Sequence, residues 1–131
     1  MSDQITIALD AMGGDDAPHI VVAGANIARR RHPNVRFVLF GDETELATRV
    51  AKQRGLREFV EIRDAPEGVA ADAKPSQVVR SGQETSMWRA IDAVKAGDAD
   101  GVVSAGNTGA LLAMAMLVLK RLPGIDRPAI A

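Results

Sequence analysis

The stretch Ile5-Thr6-Ile7-Ala8-Leu9-Asp10-Ala11-Met12-Gly13-Gly14-Asp15 decides the reading of the chain. Its first five residues are apolar and β-branched, without polar alternation, which predicts a strand buried on both faces. The paired glycines predict a turn, because they permit backbone angles that other residues resist. Asp16 is then placed to cap a helix with Pro18 near its first turn. That helix is expected to bury Ile20, Ala23 and Ile27 and to end at Arg29, Arg30 and Arg31, whose charges suit the negative end of the helix dipole.

The same alternation repeats outward from this unit. Val35 to Phe40 reads as a strand broken by Gly41. Asp42 followed by Glu45 has capping-box spacing, and Leu46, Val50 and Ala51 give the next helix its apolar stripe before Gly55 stops it. Phe59 to Ile62 reads as a third strand, and Asp64 to Ala73 as a loop. A short helical stretch runs from Lys74-Pro75 to near Gly82. Thr85 or Ser86 is placed to cap a further helix that buries Met87, Ala90, Ile91 and Val94 and ends at Gly97. Gly101 to Ala105 reads as a fourth strand and Gly106 to Gly109 as its turn. Ala110 to Lys120 is a helix apolar nearly all round, which calls for cover on several sides, deep in the fold or at a subunit contact. Pro128 to Ala131 looks like the opening of a fifth strand. Strands alternating with helices predict an α/β fold, a three-layer α/β/α arrangement around a mostly parallel sheet. Because the chain stops where a strand should begin, residues 1–131 are expected to be the N-terminal portion of something longer.

Composition narrows the function classes. The chain has 131 residues, 47% hydrophobic and 25% charged, which suits one globular domain. Its 16 basic and 17 acidic residues nearly balance, and aromatics are only 3%. A general nucleic-acid binder with a basic face or a stacking platform is therefore not expected. There is no cysteine, which excludes disulfide scaffolds, thiolate metal sites, iron–sulfur clusters and a cysteine nucleophile. The longest apolar run, Ala110 to Leu119, is too short to span a bilayer. A strand beginning at Ile5 leaves no room for a signal peptide, so a cytoplasmic protein is the default expectation.

In an open parallel sheet, ligands bind at the carboxyl ends of the strands. Three turns fall there: Asp10–Asp15, Gly41–Asp42 and Ser104–Gly109. The last, Ser104-Ala105-Gly106-Asn107-Thr108-Gly109, combines glycines that allow close backbone approach with side-chain donors and leads into a helix N-terminus, a natural phosphate seat. Its alternative reading is a plain strand-to-helix connection with Asn107 or Thr108 as the cap. Named phosphate motifs are absent: no G-x-G-x-x-G occurs, and Asn107-Thr108 stands where a Walker motif needs Lys-Ser/Thr. Asp10, Asp15 and Asp16 can orient a cation or hold a metal, although nothing in their spacing demands a metal. Lys74, Arg80 and Arg89 can offset anionic charge, and each reads equally as a solvated surface residue. His19 and His32 lack a metal partner at a convincing spacing.

Together these segments resemble the N-terminus of the bacterial phosphate acyltransferases of the PlsX family. The resemblance runs through Ile7–Asp15, Ala17-Pro18, Gly41-Asp42-Glu43, Lys74-Pro75, Ser86-Met87, Val103–Ala110 and Gly124–Ala129, in family order across essentially the whole chain. Trp88 stands where the family often has Arg, with Arg89 following. The resemblance implies transfer of a fatty acyl group from acyl carrier protein to inorganic phosphate, giving acyl phosphate for phospholipid synthesis by a membrane acyltransferase. It implies a fold similar to isocitrate/isopropylmalate dehydrogenases and phosphate acetyltransferases. It also implies a homodimer peripherally associated with the membrane, and a chain continuing well beyond residue 131.

Phosphate is itself the nucleophile in such a reaction, so neither a covalent acyl-enzyme nor a cofactor is expected. The expected catalytic residues are Asn107, Lys74 and Asp10. The expected phosphate and substrate contacts are Gly13, Gly14, Asp15, Ser104, Gly106, Thr108, Gly109, Ser86 and Arg89. Amides of the Gly106–Gly109 turn, with Ser104, would cradle phosphate. Lys74 or Arg89 would offset its charge, and Asn107 would alternatively serve the carbonyl oxyanion. Asp10 and Asp15 would orient a cationic group or the loop, since like charges keep them from phosphate. The rival readings are a non-catalytic phosphometabolite-binding module, an assembly or membrane-docking piece built on the Ala110–Leu119 helix, and a dehydrogenase related by fold alone.

Overall fold

The computed structural model describes residues 4–125. The strand expected over Pro128–Ala131, and the family-like residues from Asp126 onward, lie outside the described residues. Ten elements follow in order: β1 (Ile5–Asp10), α1 (His19–Arg31), β2 (Val35–Gly41), α2 (Glu43–Ala51), a 3-10 turn (Leu56–Phe59), β3 (Val60–Asp64), α3 (Pro75–Ser81), α4 (Ser86–Lys95), β4 (Gly101–Val103) and α5 (Thr108–Val118). The strands form one parallel sheet in the order β3-β2-β1-β4. The chain therefore builds outward from β1 to β3, then crosses back to add β4 on the other side of β1. That reversal makes a topological switch point between β1 and β4, the position where open parallel sheets leave a crevice at their carboxyl ends.

Alternation along the strands sorts the core into layers. Leu9, Phe37 and Leu39 face α1 and α2, where they bury Val22, Ala25, Leu46, Val50 and Leu56. Ala8, Val38 and Phe40 face the other way, onto Ala90 and Ala93 of α4. A further apolar cluster holds α3, α4 and α5 together through Val78, Met87, Ile91, Ala110, Met114 and Val118. The result is the three-layer α/β/α arrangement expected of the sequence, with an all-parallel sheet.

Local signals settle most helix ends. Asp42 accepts the Glu45 amide at 3.0 Å and caps α2. Thr85, rather than Ser86, caps α4 by accepting the Trp88 amide at 3.2 Å. Asn107 caps α5 by accepting the Ala110 amide at 3.1 Å. Gly55 takes a positive φ of 83° where the chain leaves α2 for β3, which a side chain would resist.

Several expectations are corrected. Asp16 does not cap α1 with its side chain: the helix starts at His19, Pro18 occupies the cap position, and Asp16 contributes only its carbonyl to the Ile20 amide. The buried face of α1 is Val22, Ala25 and Asn26, whereas Ile20 and Ile27 are 55% and 52% exposed. A polar pair explains the turn of that face. Asn26 donates to Gln53 at 2.8 Å and accepts from Arg29 at 3.0 Å, so a satisfied Asn packs inward and the isoleucines face out. β3 begins one residue later than expected and reaches Asp64, and β4 ends at Val103, leaving Ser104 and Ala105 in the loop. α5 is covered on one side only; Met116 and Leu117 are exposed.

Candidate functional site

The loops that leave β1 and β4 meet at the switch point. Their junction is built around one buried carboxylate. Asp10, at the end of β1, is 2% exposed. Its Oδ1 accepts the Ser86 hydroxyl at 2.5 Å and the Met12 amide at 3.2 Å, and its Oδ2 accepts the Ser104 hydroxyl at 2.8 Å. Ser104 Oγ in turn accepts the Gly106 amide at 3.1 Å. A carboxylate is acceptor-only when ionised, so hydroxyl and amide donors from three segments satisfy it without a cation. The sheet end, the start of α4 and the loop after β4 are thereby fixed to one another.

Glycine makes the approach possible. A Cβ on Gly13 would lie 2.5 Å from Asp10 Oδ2 and 2.9 Å from Ser104 Oγ, closer than atoms can sit. Gly14 has φ of 105° and lies against Ala105, joining the two loops from the other side.

Beside this junction lies an open cleft of about 480 Å³. Met12, Gly14 and Asp15 line it from the β1 loop, Val69 and Ala71 from the segment before α3, and Ala105 to Gly109 from the β4 loop and the first turn of α5. The amides of this last segment divide into two groups. Gly106 turns inward to Ser104, and Ala110 and Leu111 are held by the side chain and carbonyl of Asn107. Among the described residues, the amides of Thr108 and Gly109 have no protein acceptor. They sit at the positive end of the 11-residue helix α5.

The expected site residues fall into three sets. Gly14, Asp15, Gly106, Asn107, Thr108 and Gly109 line the cleft together. Asp10, Gly13, Ser86 and Ser104 lie behind it, in the buried junction, with their polar groups committed to one another. The Asn107 amide is also committed, to Ala110 on one side and to the carbonyls of Ala70, Ala71 and Ala73 on the other. Lys74 is exposed at the cap of α3. A Cβ on Gly109 would lie 3.0 Å from Pro75, so the start of α3 abuts the first turn of α5.

Arg89 belongs elsewhere. It pairs with Glu84 and lines a separate hollow with Arg63, Asp64 and Asp92 over the outer part of the sheet. In that hollow Arg63 reaches Glu61 at 2.5 Å and Asp98 at 3.2 Å. The hydrogen bond to Glu61 raises the Arg63 guanidinium above its ordinary value, with burial acting against it. Arg63 is therefore a fixed charge throughout the physiological range.

Sequence reasoning places Met12 and Ala105 within its candidate turns without counting them as site residues, and does not reach Val69, Ala71 or the carbonyls of Ala70, Ala71 and Ala73. Small apolar residues and backbone oxygens carry no side-chain signature, so no signal was there to find. His19 sits with Nδ1 3.2 Å from an Arg49 guanidinium nitrogen. Among the described residues, no cluster of three or more His, Asp or Glu is arranged to hold a metal ion. No described helix is long and apolar enough to cross a membrane.

A parallel sheet with a glycine-lined cleft at its switch point defines a three-layer α/β protein with a candidate ligand site at the carboxyl ends of its strands. Residues 5–131 match the family described as "Fatty acid synthesis protein", and the chain belongs to that family. It is 58% identical over 131 residues to a phosphate acyltransferase of Rhodospirillum rubrum, covering 100% of this chain and 38% of that protein. It is 60% identical to one from Rhodospirillum centenum, again over the whole chain and 37% of the relative. A third, from Ruegeria sp. TM1040, is 53% identical over 125 residues, covering 95% of this chain and 33% of the relative. The chain thus spans a little over a third of the length of the first two and a third of the last.

Proposed function

We propose that the complete protein transfers a fatty acyl group from acyl carrier protein to inorganic phosphate, with phosphate held in the switch-point cleft. One observation carries this reading: the amides of Thr108 and Gly109, unpartnered among the described residues, open the positive end of α5 onto that cleft. The names of the relatives point to the same chemistry.

In the proposed reaction a phosphate oxygen attacks the thioester carbonyl carbon. The new C–O bond forms, the C–S bond breaks, and the carrier's sulfur leaves as a thiol, taking the proton of hydrogen phosphate. Holding phosphate beside the carbonyl supplies the proximity such a step needs. Thr108 and Gly109 offer the main-chain donors, and Lys74, next to them across Pro75, offsets charge. Asp15 lines the cleft as an anion and sits away from the phosphate by repulsion. Asp10, Ser86 and Ser104 position the loop from behind rather than touching substrate. The chemistry calls for no cofactor.

The same reading makes the protein a cytoplasmic homodimer associated peripherally with the membrane, passing acyl phosphate to a membrane acyltransferase. The exposed apolar side chains Met116, Leu117, Leu119, Leu122 and Ile125 support an associating surface at the end of α5. The test is acyl-phosphate formation by the complete protein, trapped with hydroxylamine, at varied phosphate and saturating acyl carrier substrate. Saturable dependence on phosphate is expected. Phosphate binding without acyl-phosphate formation would favour a non-catalytic binding module instead.

A further inference from the structure

We infer that Asn107 is a positioning residue that hangs one wall of the cleft on the amino end of α5 and so sets the space in which phosphate and acyl carbonyl meet. The inference rests on the acyltransferase reading above and assigns this side chain a task within the same site.

The geometry is specific. Asn107 Nδ2 lies 3.1 Å from the Ala70 carbonyl, 3.3 Å from that of Ala71 and 2.9 Å from that of Ala73. Its Oδ1 accepts the Ala110 amide at 3.1 Å. A carboxamide has one acceptor and two N–H donors, so three carbonyls share two hydrogens. The reverse orientation would set Oδ1 against three oxygens and Nδ2 against an N–H donor, which fixes the amide as placed.

The segment it holds is otherwise loosely tied. Residues 65–74 contain neither helix nor strand. Ala65 and Glu67 are anchored at the near end, by the Ala65 amide to Gly41 and the Ser86 amide to Glu67. From Gly68 to Ala73, the described hydrogen bonds to any other element all come from Asn107. Val69 and Ala73 add apolar contact with the cluster of α3, α4 and α5. Val69 and Ala71 of this segment line the cleft opposite the first turn of α5.

Capping alone does not account for asparagine. Ser or Asp would cap α5 comparably well. Neither can donate two N–H groups to the facing carbonyls. The second function of the side chain is therefore separable from the first by substitution.

The experiment uses the complete protein with Asn107→Ser, which keeps a cap and removes the latch, and Asn107→Ala, which removes both. Limited proteolysis is followed in residues 68–74 and hydrogen exchange in α5, alongside KM for phosphate and kcat at saturating acyl carrier substrate. In Asn107→Ser, cleavage within 68–74 is expected to accelerate about tenfold, the equivalent of one or two net hydrogen bonds, while α5 keeps its protection from exchange. KM for phosphate rises by a similar factor with kcat changed far less. Asn107→Ala adds faster exchange at the start of α5. Unchanged cleavage within 68–74 in both variants overturns the latch whatever the activity. Faster cleavage with unaltered phosphate KM overturns its role in setting the cleft. A wild-type protein that forms no acyl phosphate removes the acyltransferase reading instead, and with it the role assigned here.

Discussion

Ser104 and Asp10, 94 residues apart in the chain, are joined by a hydrogen bond of 2.8 Å that locks the loop after β4 to the end of β1. The Ser104 hydroxyl donates a hydrogen bond to the carboxylate and accepts one from the Gly106 amide. With Ser86 bound to the other carboxylate oxygen, the floor of the cleft is a closed polar network, in which each member depends on the rest.

Removing the carboxylate should therefore be costly. Asp10→Ala leaves the buried Ser86 hydroxyl, the half-buried Ser104 hydroxyl and the Met12 amide without their acceptor and is expected to lower stability by about 3 kcal/mol, at about 1–3 kcal/mol per orphaned group with partial relaxation. Equilibrium urea denaturation of the complete protein measures it. A loss below about 1 kcal/mol would mean the network is not cooperative.

Two glycines make a matched comparison. Gly13→Ala drives a methyl into the Asp10 carboxylate and Ser104 hydroxyl and should destabilise by about 1–3 kcal/mol, as overpacking does. Gly24, within α1, has nothing within 4 Å of the position of an added Cβ. Gly24→Ala should stabilise by about 0.5–1 kcal/mol through helix propensity. Thermal unfolding of both variants should shift in opposite directions.

Lys74→Ala is expected to raise KM for phosphate severalfold with little change in KM for the acyl carrier, since it precedes Pro75, which abuts the first turn of α5. Arg89→Ala, whose partner Glu84 lies away from the cleft, should leave both constants within about twofold. Steady-state kinetics on the two variants decides which cation serves phosphate; equal effects would contradict the assignment.

Thr85 carries two bonds at the start of α4, accepting from the Trp88 amide and donating to the Gly82 carbonyl at 2.6 Å. Thr85→Ala should cost about 1–2 kcal/mol and Thr85→Ser much less, because serine restores the cap. Chemical denaturation of the pair provides the check, and equal losses would point to the lost methyl rather than the hydroxyl.

By itself the sequence determined the alternation of strands and helices, the cap at Asp42 and the glycine turns at the strand ends. These are legible because the forces behind them are local: side-chain period, a capping oxygen three residues from its amide, and the angles a glycine permits. It also carried the family through residues in order, and singled out the Ser104–Gly109 turn as the candidate seat for an anion. Only the tertiary structure decided that β4 returns beside β1, which makes the crevice. The fold alone also set Asp10 against Ser86 and Ser104, bound Asn107 to carbonyls 34 to 37 residues away, and faced Asn26 inward while Ile20 and Ile27 faced out. The physical reason is common to all of these. A polar group is read from sequence by its type, but its partner is chosen by where the chain crosses back, and burial then enforces that choice because an unpaired polar atom in the interior is expensive.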